Sequence, residues 1–186
     1  MEFNELKELL IAENVYDRIK EREDEVFALI PELKVCKGFD QKNSWHIYDV
    51  YEHILHVVDG VAPVLPIRLT AVFHDVGKPL AFHVDEEGVG HFFGHWDRSV
   101  DIFQKYVPLL QLSTAEADLI TALIFYHDIN VDRLQEDELS QLVERIGREN
   151  LHMLFAIKRA DLLAQSPAYH GMLTKIDEQE KRMQNR

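Results

Sequence analysis

Residues 74–79 read His-Asp-Val-Gly-Lys-Pro and follow a segment, about 66–74, that is predicted to be a helix. Glycine and proline disfavour continuation, so the His-Asp pair is expected at the helix end. Neighbouring residues on a helix point about 100° apart, so an ion shared by this pair would have to lie beside that end. Gly77 lets backbone or substrate come close, and Lys78 could meet phosphate oxygens as a point charge. The stretch predicts a metal centre, with a C-capping turn that binds no metal as the alternative.

Further residues of metal-binding type lie on separate predicted helices. His53 belongs to the preceding helix, His95 comes just before a helix, and His127 ends another. Asp161 lies inside an otherwise apolar helix, where a buried carboxylate needs a partner because leaving it unpaired is expensive. A metal ion would supply that partner. A salt bridge to Lys158, three residues earlier, or plain exposure of the carboxylate remains open.

The rest of the chain is predicted to be mostly helical. Only the segment 81–93, AFHVDEEGVGHFF, shows two short runs around a turn and predicts at most one short β-hairpin. Pro31 is expected to end the first helical stretch and to begin a loop over 31–45, and the charged segment after Leu173 to be a solvated helix or a frayed end. The fold class predicted is all-α. Helices are expected over about 5–30, 49–59, 66–74, 96–106, 117–126, 137–146 and 149–164, the fifth of these after the capping-box sequence of residues 113–116.

Composition narrows the function classes. The 186 residues suit one domain, and a net charge of −13 with a pI near 5.1 favours a small phosphorylated substrate over a long nucleic acid. Cys36 is the single cysteine, which fits a reducing compartment. The first residues lack the basic segment of a signal peptide, and no apolar run is long enough for a membrane span. The expected location is the cytoplasm, with no membrane partner and the oligomeric state left open.

The order His53, His74-Asp75, Asp161 resembles that of the HD-domain superfamily of metal-dependent phosphohydrolases. The fuller family pattern adds two histidines before the last aspartate, and His95 and His127 stand in those places. The chain is most similar to the HD domain of bacterial CCA-adding tRNA nucleotidyltransferases, over about residues 38–165. The matching motifs are HDVGK, Gly94-His95, Tyr126-His127-Asp128 and Ala160-Asp161. The nucleotidyltransferase domain itself has no counterpart in the sequence.

The resemblance implies a single HD domain over 1–186, with an N-terminal helical extension over about 1–35, an HD core over 36–170 and a charged C-terminal tail over 171–186. It also implies one or two divalent ions, of Mn, Fe, Co, Ni, Mg or Zn. The implied metal ligands are His53, His74, Asp75, His95, His127 and Asp161.

The implied activity is hydrolysis of a phosphomonoester or phosphodiester, in a nucleotide or a similar small molecule, by metal-activated water. Asp75 is the expected bridge between two ions and is assigned with Lys78 and His91 to catalysis. Lys78 and Arg98 are assigned to substrate binding. Three alternatives stay open: a metal- and nucleotide-binding regulatory domain without turnover, an RNA-end processing phosphatase or phosphodiesterase, and di-iron oxygenation.

Overall fold

The computed structural model describes residues 1–184 and is an all-α bundle with one short hairpin, as predicted. Strands β1 (His83–Val84) and β2 (Gly90–His91) pair antiparallel, with His83 opposite His91. The last two residues of the predicted charged tail, 185 and 186, lie outside the described residues. The helices are α1 (Phe3–Leu10), α2 (Val15–Glu21), α3 (Glu23–Leu29), α4 (Pro31–Cys36), α5 (Val50–Gly60), α6 (Leu65–Phe73), α7 (Lys78–Ala81), α8 (His95–Leu110), α9 (Thr114–Tyr126), α10 (Glu136–Ile146), α11 (Leu151–Leu163) and α12 (Leu173–Gln184).

The N-terminal segment differs from its prediction in two ways. The stretch expected as one helix is three, because Asn14 adopts a left-handed conformation with φ 54° between α1 and α2, and Arg22 separates α2 from α3. The prediction that Pro31 begins a loop is wrong, because Pro31 is the first residue of α4. Proline is tolerated there since the first N–H groups of a helix have no intrahelical partner.

Helix α6 forms the centre of the bundle. Its residues from Ile67 to Phe73 are all buried, and it packs against α5, α8, α9 and α11. A helix that carries mostly apolar side chains around its whole circumference is expected in a core. Two buried polar side chains on it bond to nearby backbone, since Thr70 Oγ1 donates to the Pro66 carbonyl and Arg68 Nε donates to the Ala62 carbonyl. The His-Asp pair that follows α6 therefore lies in the interior of the bundle.

The charged segment after Leu173 is a docked helix rather than a solvated one. Met183 is fully buried in an apolar cluster formed with α9, α10 and α11. Arg159 on α11 pairs with Asp177 at 2.8 Å and with Glu180, which fixes the outer side of α12 to its neighbour. The segment is charged because only one stripe of the helix faces the core.

Within residues 1–184, the helices are all too short or too polar to cross a bilayer.

Candidate metal centre

The predicted ligands come together from separate elements at one point in the bundle. Asp49 Oδ1 accepts a hydrogen bond from the Glu52 backbone N–H at 2.7 Å and caps α5, the helix that carries His53. The side chains of the six predicted ligands are buried except that of Asp161, which is 14% exposed. The remaining ligands lie just after α6 (His74 and Asp75), at the start of α8 (His95), just after α9 (His127) and on α11 (Asp161).

A first group consists of His53, His74, Asp75 and Asp161. His53 Nε2 lies 2.9 Å from Asp161 Oδ1 and 3.2 Å from Asp75 Oδ2. His74 Nε2 lies 3.3 Å from the same Asp75 oxygen and 3.4 Å from His53 Nε2. One ligand atom from each residue lies within 4.8 Å of all the others, so the group could hold one metal ion.

A second group uses the other oxygen of the same carboxylate. Asp75 Oδ1 lies 3.2 Å from His95 Nε2 and 3.6 Å from His127 Nε2, and these two nitrogens are 3.2 Å apart. This group also fits within 4.8 Å. Asp75 therefore faces a separate set of imidazole nitrogens with each of its oxygens.

The histidine rings are oriented by backbone carbonyls. The Nδ1 atoms of His74, His95 and His127 lie 2.7–2.9 Å from the carbonyl oxygens of residues 71, 92 and 124. A carbonyl only accepts, so Nδ1 carries the proton and the neutral ring turns its Nε2 lone pair inward. Asp75 Oδ1 is buried and accepts no well-formed hydrogen bond from the described part of the chain. Inward imidazole lone pairs and carboxylate oxygens are ligand atoms that suit divalent cations.

Neighbouring groups shift the pKa values of the buried carboxyls and of His53. Burial would raise the pKa of the Asp75 carboxyl, but Lys78 and the surrounding histidines hold it well below its usual value. Burial lowers the pKa of His53, yet hydrogen bonds to Asp161 and Asp75 outweigh it and raise that pKa to about 9. The bond from His53 likewise lowers the pKa of Asp161 against the effect of burial. The carboxylates are thus ionised and attract positive charge.

Lys78 is buried beside the carboxylate that both groups share. Its side chain is only 6% exposed, and its Nζ lies 2.6 Å from Asp75 Oδ2. The same nitrogen donates to Gln41 Oε1 at 2.9 Å and lies 5.3 Å from the centre of the Phe92 ring. The ammonium therefore contacts a candidate metal ligand rather than open solvent. Nothing in the sequence singled out Gln41, because a lone glutamine in a predicted loop carries no signal.

Two further predicted site residues lie apart from these groups. His91 Nε2 lies 2.6 Å from Asp85 Oδ2 within the hairpin, and its ring stacks on Phe93. The side chain of Arg98 is 58% exposed and reaches toward Asp101, 3.9 Å away. The two groups found among residues 1–184 include neither His91 nor Arg98. Their assignment to catalysis and substrate binding remains a prediction without geometric support.

A cavity of about 340 Å³ adjoins the centre. His127 and Asp161, one from each group, lie in its wall, together with Lys158. The predicted alternative of an Asp161–Lys158 salt bridge is not what forms, since Lys158 Nζ donates to the carbonyls of His127 and Ile129 at 3.1 and 2.7 Å. Sequence reasoning missed the cavity because its wall combines residues more than a hundred positions apart.

Comparison with known proteins identifies distant relatives. No protein family model matches the chain. The chain is 31% identical over 152 residues to the CC-adding tRNA nucleotidyltransferase of Thermus thermophilus, a match that covers 78% of this chain and 32% of that protein. It is 27% identical over 124 residues to multifunctional CCA proteins of Burkholderia mallei and Burkholderia pseudomallei, covering 64% of this chain and 29% of theirs. The chain is a homologue of these enzymes at low identity and spans about a third of their length.

Proposed function

We propose that the chain is an HD-domain, metal-dependent phosphohydrolase that cleaves a phosphomonoester or phosphodiester of a nucleotide or similar small molecule. The observation that carries the proposal is the Asp75 carboxylate, whose two oxygens lie 3.2 Å from His53 Nε2 on one side and 3.2 Å from His95 Nε2 on the other. Two adjacent sites that share one carboxylate are the arrangement expected of a two-metal hydrolase. Paired ions would supply an activated water and stabilise the charge that develops on the phosphoryl oxygens.

The chain's own residues would hold the ions, orient the shared carboxylate and receive the substrate. The first ion would be held by His53, His74, Asp75 and Asp161, and the second by Asp75, His95 and His127. Lys78 fixes the orientation of the shared carboxylate from the buried side through its 2.6 Å contact. The substrate would enter from the cavity, since this is where Asp161 and His127 face open space. Lys175 in the same wall adds positive charge for an anionic substrate.

The relatives support an enzyme but not the transfer of nucleotides to tRNA. The chain spans about a third of their length, so their named activity is not carried over. RNA ends remain a second candidate substrate, favoured by the names of the relatives and opposed by the net charge of −13. Binding of RNA that weakens steeply with salt would favour this candidate.

The test uses the full chain loaded separately with Mn, Fe, Co, Ni, Zn or Mg. Release of inorganic phosphate from a panel of nucleotides and sugar phosphates, and cleavage of bis(p-nitrophenyl) phosphate, are measured. We expect metal-stimulated turnover that is abolished in D75A and retained in D118A, a matched change at an exposed aspartate on α9. Full activity in D75A would overturn the proposal. Nucleotide binding without turnover under every metal would favour the regulatory domain instead.

A further inference from the structure

One side of the cavity beside the candidate metal centre is formed by the C-terminal part of the chain. Met172, Lys175, Ile176 and Gln179 line it, and they belong to α12 and the turn before it. Its volume of about 340 Å³ lies in the range of small-molecule sites, roughly 300–1,000 Å³. Because members of both ligand groups lie in the same wall, a molecule bound to the centre would extend into this cavity.

One aromatic ring in the wall is held in place before any ligand binds. Trp45 is 41% exposed, and Tyr169 stacks on its ring with centroids 3.6 Å apart and 15° between the planes. Tyr169 Oη is hydrogen-bonded to Ser44 Oγ at 2.8 Å, and the Ser166 N–H donates to the Trp45 carbonyl at 2.7 Å. An exposed indole fixed at both its ring and its backbone loses little entropy when a second ring stacks on it.

The aromatic and apolar part of the wall fits a flat ligand. Leu162, Met172 and Ile176 provide apolar surface beside Trp45. Lys158 and Lys175 bring positive charge to a wall that also holds the carboxylates of Asp128 and Asp161. Lys175 has a side chain that is 51% exposed and lies 3.5 Å from Asp132 Oδ2. A sugar phosphate alone would leave the apolar surface uncovered, whereas a purine or pyrimidine ring covers it.

We propose that this cavity is a base-binding subsite, in which a nucleoside phosphate stacks its base on Trp45 while its phosphate lies at the metal centre. The inference rests on the proposed function for the position of the phosphate. It assigns to the C-terminal helix a part of the substrate site, outside the region over which the sequence resembles a known domain. Stacking on Trp45 would accept any of the bases, because purines and pyrimidines both present a π face.

The experiment compares pairs of ligands, one with a base and one without it. Non-hydrolysable methylphosphonate analogues of adenosine monophosphate and ribose phosphate, each as 5′ and 3′ isomers, are titrated calorimetrically into the metal-loaded chain. We expect the base to tighten binding by about 5- to 150-fold, the effect of one base stacked on one aromatic ring. In W45A this advantage is lost, while binding of the ribose analogue and the metal content stay unchanged. F93A, which removes an exposed phenylalanine of the hairpin segment outside the cavity wall, serves as the control and keeps the advantage.

A second measurement keeps Trp45 intact in case its removal disturbs the fold. In W96F, Trp45 is the remaining tryptophan, and the adenosine analogue is expected to quench its fluorescence while the ribose analogue is not. Equal binding of the two analogues, binding of neither, or a base preference that persists in W45A would overturn the subsite. Efficient hydrolysis of esters with and without a base would leave the proposed function intact and reject the subsite. Base-dependent binding without turnover would support the subsite and reject the proposed function.

Discussion

The ammonium nitrogen of Lys78 lies 2.6 Å from Oδ2 of Asp75, the carboxylate shared by both groups of candidate ligands. Asp75 is 1% exposed and Lys78 5% exposed, so the pair is shielded from water. Gln41 completes the arrangement by accepting a second hydrogen bond from Lys78. Because these contacts hold Asp75 in position, metal binding and the free energy of unfolding should both depend on this one carboxylate.

We expect K78M to destabilise the metal-free protein by about 3 kcal/mol, because removing one partner of a buried pair leaves the other charge uncompensated. Bound metal would supply positive charge to the same carboxylate, so the loss should be smaller in the metal-loaded protein. Denaturant unfolding of both forms measures the difference. K34M, at an exposed lysine of α4, should change the unfolding free energy little. Equal destabilisation by K78M with and without metal would contradict this link.

Gly77 permits the close approach that the sequence predicted. A Cβ on it would lie 2.5 Å from both the His95 carbonyl oxygen and the Ser99 backbone nitrogen, and these backbone atoms cannot rotate away. G77A should therefore push the start of α8, destabilise the fold by about 1–3 kcal/mol and weaken the second metal site. Thermal unfolding and metal analysis measure both effects. G171A, where an added Cβ meets nothing within 4 Å, is the control; the idea fails if both variants behave alike.

The bond between Tyr106 and Glu32 predicts a pH-dependent stability. Burial would raise the pKa of Glu32, but the hydrogen bond from the Tyr106 hydroxyl helps to lower it below 4.5. A lowered carboxyl pKa contributes stability that is present above the unfolded-state pKa and is lost as pH falls through the folded-state value. Y106F should cost about 1 kcal/mol at pH 7, and the difference from the natural protein should shrink below pH 4.5.

Chemical denaturation between pH 7 and pH 3.5 measures that difference. Y48F is the matched change, since the Tyr48 hydroxyl makes no hydrogen bond to the described residues. A constant difference across the whole pH range would show that the ring, rather than the hydroxyl, carries the effect.

The sequence predicted which side chains come together better than it predicted the contacts of their neighbours. His53, His74 and Asp161 were found because residue type and order along the chain are visible without coordinates. The helix expected over about 49–59 is present as α5, with Asp49 as its cap. The contact of Lys78 with Asp75 was not predicted, because the direction of the lysine side chain depends on Gln41 from a distant loop.

Long-range packing explains the other differences. The cavity could not be predicted, since Trp45 and α12 meet only after the chain has folded. The docking of α12 was missed because Ile176 and Met183 are two apolar residues in a charged stretch, and burial of one stripe is decided by the partner helix.

The two groups of ligands predict separable metal stoichiometries. The intact chain should hold two ions, D161N should lose the one at the first group, and H127A should lose the one at the second, because each of these side chains belongs to one group only. D75A should lose both, since Asp75 belongs to the two groups. Elemental analysis after dialysis counts the ions, and D128N, at an exposed aspartate next to His127, should bind as the natural chain does. One ion in the natural chain, unchanged in H127A, would restrict the metal to His53, His74, Asp75 and Asp161 and leave His95 and His127 as contacts for substrate.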